Sequence, residues 1–171
     1  MHRSMKRYLV ATLAAVAFAA PTLARAEGDV TVALTANRVT IEKGKEALRS
    51  ADQARPGDVI EYRVRYRNEG AAAARQLDAT LPVPAGLEYL PRTAQPATLL
   101  ASLDGRTYEP VPLMRRVKLE DGRMALREVP AADYRYLRWS LGTLASHQER
   151  TVRARVRVAP LPPMAVTATT H

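Results

Sequence analysis

The chain has 171 residues, with 26 Lys and Arg against 17 Asp and Glu, and no cysteine. Without cysteine there are no disulfide staples, thiol nucleophiles or thiolate metal sites, so the fold must rest on burial and hydrogen bonding alone. The length suits one domain with an adequate core.

Arg3, Lys6 and Arg7 precede an apolar run over residues 8–20, Pro21 breaks it, and Ala24-Arg25-Ala26 forms an A-x-A cleavage site. This pattern predicts a signal peptide over residues 1–26 and a secreted domain, periplasmic or cell-surface. The run is short for a bilayer span. No later apolar run follows, so no transmembrane segment is expected in the mature chain. Removing 1–26 takes four basic residues and no acid, which lowers the formal charge from +9 to +5. An Ala/Arg-rich, cysteine-free exported domain points to a bacterial cell envelope.

In chain order, Val30, Val32 and Leu34 alternate with Thr31, Ala33 and Thr35, and Val39 and Ile41 continue after Asn37-Arg38. This predicts one edge strand with a kink or bulge near Asn37. Residues 42–45 form a turn, and 46–54 a loop with a brief strand at Ala47-Leu48. Residues 56–70 carry the clearest signal. After Pro56-Gly57-Asp58, Ile60, Tyr62, Val64 and Tyr66 face one way and Glu61, Arg63, Arg65 and Arg67 the other. That is the period of a strand with one buried and one wet face, and Asn68-Glu69-Gly70 closes it as a turn.

A second strand is expected over 75–81, ended by Pro82 and Pro84, and a short one over 87–90. Asp104-Gly105 predicts a tight hairpin between 98–103 and 106–108. The segment 109–130 is the least regular, with a second hairpin about Asp121-Gly122. Trp139-Ser140-Leu141-Gly142 ends another strand in a glycine turn. In the last strand, 151–158, Val152, Ala154, Val156 and Val158 face inward and Arg153, Arg155 and Arg157 outward. The tail at 161–171 is expected to be weakly ordered. Short strands and turns without a helix predict an all-β fold, an immunoglobulin-like antiparallel β-sandwich over 27–160.

Several motifs, in order, carry a resemblance: Pro56-Gly57-Asp58, Tyr62, Asn68-Glu69-Gly70, Leu81-Pro82, Ala85-Gly86, Trp139-Ser140-Leu141-Gly142-Thr143-Leu144 and the strand at 151–158. Together they resemble the bacterial conserved-repeat immunoglobulin-like domain of unknown function, the "domain of unknown function eleven" family. The chain departs from the family pattern at Ala79, where the family often has Asp, and in the inserted Val83-Pro84. The resemblance implies a secreted or envelope-associated, non-catalytic module and brings no catalytic residues.

Three sets of residues are candidate sites. Arg63, Arg65 and Arg67 project from one strand and Arg153, Arg155 and Arg157 from another. If the strands are neighbours, six guanidinium groups share an outer face. The plain expectation is a solvated face with the arginine stems packed down. The alternative is binding of a polyanion, such as lipopolysaccharide or an acidic glycan; no nucleic-acid binding is expected. Among the aromatics, Tyr62, Tyr66 and Trp139 are expected in the core. Tyr89, Tyr108, Tyr134 and Tyr136 either cap its ends or line a glycan or peptide groove. The mature chain offers His147 and His171 but no triad or metal-ligand spacing, so neither metal nor cofactor is expected, and a glycan hydrolase is the weakest reading. An isopeptide crosslink through Lys43, Lys45 or Lys118 and Asn37 or Asn68 is also weaker than simple exposure. The expected function is a protein-interaction or structural module with an envelope protein as partner, through an edge strand or the Pro-rich segment 81–96.

Overall fold

The computed structural model describes residues 29–160. The predicted signal peptide, 1–26, and the tail, 161–171, lie outside the described residues. Eleven strands follow in order: β1 (Val30–Glu42), β2 (Lys45–Ser50), β3 (Val59–Asn68), β4 (Ala74–Pro82), β5 (Leu87–Tyr89), β6 (Leu100–Ser102), β7 (Glu109–Pro110), β8 (Met114–Lys118), β9 (Met124–Glu128), β10 (Tyr136–Leu144) and β11 (Glu149–Val158). A 3₁₀ turn, Ala131–Asp133, precedes β10. All strand pairs are antiparallel.

A five-stranded sheet runs β2-β1-β3-β11-β5 and a four-stranded sheet β4-β10-β6-β7, while β8 and β9 pair only with each other. The two larger sheets share one core. Ile60, Val64, Tyr66, Val152, Ala154 and Val156 come from the first; Ala79, Leu81, Ala101, Leu137, Trp139 and Leu144 come from the second. The period-2 alternation of β3 and β11 causes this, since each strand turns its even-numbered, apolar side chains to the same side. The all-β, sandwich-like expectation is therefore met.

Several local expectations need correction. β1 is one continuous strand of 13 residues, with an unbroken register against β3 and no bulge at Asn37. It is also not wholly an edge. Residues 45–50 form a full strand that pairs with its second half, joined by a two-residue turn in which Lys43 (φ 50) and Gly44 (φ 77) both take the left-handed conformation. That is the geometry a tight hairpin requires. The Asp104-Gly105 hairpin is looser than expected. Ala101 pairs with Glu109, and a six-residue sweep is organised by the Asp104 carboxylate, which accepts the N–H groups of Arg106 (2.8 Å) and Thr107 (2.9 Å). Gly142 does not end its strand; β10 runs through it to Leu144 with register shifts on either side. The segment 109–130 contains the small separate sheet, with β8 and β9 extending the predicted Asp121-Gly122 hairpin.

The side chains of the motif residues explain their types. Asn68 is 1% exposed rather than a surface turn residue. Its Nδ2 donates to the carbonyls of Ala72 (2.7 Å) and Leu144 (3.0 Å), and its Oδ1 accepts the Gly70 N–H (3.0 Å). A Cβ on Gly70 would lie within 2.7 Å of the Asp29 side chain, so only glycine lets the start of β1 close against this turn. The Asp58 carboxylate accepts the Arg55 N–H (2.8 Å), closing the turn at Gly57 (φ 89). The Trp139 Nε1 donates to the Pro96 carbonyl (2.8 Å). Tyr89 and Tyr134 stack at 6.1 Å, and the Tyr134 hydroxyl accepts the Leu113 N–H (2.9 Å).

Candidate functional site

The outer face of the five-stranded sheet does bring the two arginine rows together. β3 and β11 are neighbours, with Arg63 opposite Arg153, Arg65 opposite Thr151, Arg67 opposite Glu149 and Glu61 opposite Arg155. The pleat puts all of these on one face. Glu61 is the exception to the predicted wet face: it is 2% exposed. Arg63 Nη2 donates to its Oε1 (3.0 Å) and Arg155 Nε to its Oε2 (3.1 Å), with Arg153 Nη1 3.7 Å away. Three guanidinium groups and their stems roof one carboxylate, which removes it from water and neutralises part of their charge.

The pairing extends outward. Arg155 also donates to both oxygens of Glu46 (2.9 and 2.8 Å). Glu46 first, then Glu61, hold the Arg155 guanidinium protonated well above its ordinary range, and Arg155 in turn lowers the Glu46 carboxyl. Arg153 Nε donates to the Gln95 side-chain oxygen (2.8 Å). Arg65 lies 3.8 Å from Glu149 and Arg67 3.0 Å from Glu69. Of the six arginines, Arg157 alone has no ion pair among the described residues. Sequence periodicity identified the cations but not the acids that answer them. Glu61 was legible as the one acid in an arginine row; Glu46 and Gln95 come from elements 15 or more residues away.

The other candidates do not converge. Tyr89 and Tyr134 are core residues at 2% and 1% exposure. Tyr108 lies under the Arg138 guanidinium, 3.4 Å from its ring centroid, and Tyr136 lines a depression of about 300 Å³ with Pro82, Leu103 and Asp104, so with Tyr89 and Tyr134 in the core no groove gathers all four. Lys43, Lys45 and Lys118 are exposed, away from buried Asn68, as simple exposure requires. His147 sits in a turn with φ 58. Among the described residues no group of three or more His, Asp or Glu could hold a metal ion. A surface depression of about 650 Å³ lies at the β8–β9 hairpin and is lined by Val117, Lys118, Leu119, Glu120, Asp121 and Arg127. No described helix is long and apolar enough to cross a membrane.

The sheet edges differ sharply. The segment 81–96 is spent internally: β5 pairs with β11, and Leu90 and Gln95 bond to it by their backbones. β2 carries Lys45, Glu46 and Arg49 along its edge. β4 carries Arg75 and Asp78, ends in Pro82, and kinks at Gln76 (φ 55). These are ordinary protections of an edge. Residues 30–36 of β1 lack them: Val-Thr-Val-Ala-Leu-Thr-Ala holds no charge, proline or glycine. They pair with β3 on one side and with no described strand on the other. Glu69 N–H donates to the Asp29 carbonyl (2.6 Å), so odd-numbered residues here turn their backbone groups to β3. By the alternation of an antiparallel strand, Val30, Val32, Leu34 and Ala36 turn theirs outward.

No family model, curated protein or solved structure matches this chain.

Proposed function

We propose that this chain is an exported, non-catalytic immunoglobulin-like module of the bacterial cell envelope that binds a partner protein by strand addition along residues 30–36. The observation that carries the reading is the row of outward N–H and C=O groups at Val32, Leu34 and Ala36, beyond buried Val30, on an edge without charge while the other long edges are guarded. An extended partner segment would add main-chain hydrogen bonds there, and Thr31, Ala33 and Thr35 on the outer face would meet its alternate side chains. Membership of the conserved-repeat family belongs to the same reading; the buried Asn68, the Asp58 turn and Trp139 give its motifs structural work. Export rests on the residue pattern of 1–26.

Polyanion binding through Arg63, Arg65, Arg67, Arg153, Arg155 and Arg157 is the weaker reading, because carboxylates already occupy five of the six. A glycan hydrolase is weaker still: Glu46, Glu61, Glu109 and Asp58 are held in arginine ion pairs. The test is crosslinking in the native envelope followed by mass spectrometry, at low and high salt. A discrete protein captured at both salts, and lost in Val32→Pro, is expected. That proline removes one outward N–H and leaves the β3 pairing intact. Capture of anionic glycan or lipid alone, lost at high salt, would move the assignment to the arginine face.

A further inference from the structure

The β8–β9 hairpin presents a face that the fold does not use. Its two strands pair with neither larger sheet. The register sets Met114 opposite Glu128, Arg116 opposite Leu126 and Lys118 opposite Met124, and these six side chains lie on one side of the ribbon. All six are exposed, with Met124 and Leu126 at 62% and Met114 at 41%. On the opposite side Arg115 pairs with Glu109 (2.7 Å) and Val129 packs against the core at the base, while Val117, Leu119 and Ala125 are half-buried within the ribbon. Buried Leu113 anchors the base, its carbonyl accepting the Val129 N–H (2.8 Å).

Charge separates this face from the arginine rows. Arg116 and Lys118 have no ion-pair partner among the described residues. The acids lie at the two ends: Glu128 at the base, Glu120 and Asp121 in the turn, where Asp121 is tied to Arg123 (2.7 Å). The middle of the face is therefore apolar and cationic together.

We propose that this face docks on an anionic lipid surface, with Met124, Leu126 and Met114 entering the headgroup boundary and Arg116 and Lys118 meeting lipid phosphates. The face offers six exposed side chains, against the roughly 20–30 residues a side of a standard stable protein interface. A bilayer needs no such extent or shape match, and it rewards an apolar row flanked by unpaired cations. The proposal stands apart from strand addition at β1, which uses different residues on a different sheet.

Vesicle co-sedimentation tests it, with the N-terminus of the purified protein read by mass spectrometry. Neutral phosphatidylcholine vesicles are compared with vesicles containing phosphatidylglycerol. Roughly tenfold tighter binding to the anionic vesicles is expected at moderate salt. Arg116→Ser with Lys118→Ser should reduce that preference, and Met124→Asp with Leu126→Asp should reduce binding, in each case to what residues 1–26 supply on their own. Whatever residues 1–26 contribute is common to every variant, so the differences report the hairpin. Because the chain lacks cysteine, Leu126→Cys accepts a single environment-sensitive dye, whose emission should shift to the blue on anionic vesicles. Equal binding to both vesicles, binding untouched by either double variant, or a dye that stays in water would each overturn the proposal, as would capture of a protein through this face with vesicles left unbound. Urea midpoints close to wild type in the double variants confirm that the fold is intact.

Discussion

Replacing Glu61 by Gln tests whether the arginine rows are held by a buried acid or merely surround it. The substitution keeps size and one acceptor oxygen but removes the charge. It weakens charge-assisted bonds from Arg63 (3.0 Å) and Arg155 (3.1 Å) and leaves Arg153 facing Arg63 with no negative charge between them. Breaking a buried ion pair costs about 3–5 kcal/mol. Glu61 is 3% exposed as a side chain, but its partners are 24–44% exposed and recover some hydration. That places the loss at about 2–3 kcal/mol. With a urea dependence of about 2 kcal/mol/M, the unfolding midpoint should fall by about 1–1.5 M, followed by far-ultraviolet circular dichroism. Glu42→Gln is the control, since its Arg49 partner is 59% exposed and an exposed pair of this kind leaves the midpoint nearly unchanged. In 1 M salt the Glu61→Gln loss should shrink, because the uncovered arginine repulsion is screened within about 3 Å. A midpoint shift no larger than that of the control would refute the reasoning.

Asn68→Ala should cost about 3 kcal/mol, since it strands the Leu144 carbonyl and the Gly70 N–H in a buried site; urea denaturation measures it. Asp104→Asn should lower the midpoint at neutral pH and have no effect in strong acid. Backbone N–H groups of Arg106 and Thr107 hold the Asp104 carboxyl at about 2, below its ordinary 3.8. Its contribution is therefore complete above pH 3.8 and fades as pH falls through 2. Midpoints of wild type and variant should converge across that window.

The strands with one buried and one wet face were legible because a period of two is written directly in the chain, as in Ile60-Tyr62-Val64-Tyr66 and Val152-Ala154-Val156. β2 was not, because Lys45, Glu46 and Arg49 protect an edge and so look like loop. The looser Asp104 turn was missed because a carboxylate that collects two N–H groups competes with the tight turn that Asp-Gly otherwise favours.

The sequence by itself determined the all-β class, the inward set of residues in β3 and β11, and the presence of two arginine rows, since these depend on local alternation. Only the tertiary structure decided which acids answer the arginines and which stretch of edge is left unpaired. Ion pairing depends on which strands become neighbours: Glu46 on β2 reaches Arg155 on β11 across 109 positions. An unpaired edge is likewise a property of the whole sheet, because residues 30–36 lack a neighbour on one side only where β2 stops at Ser50.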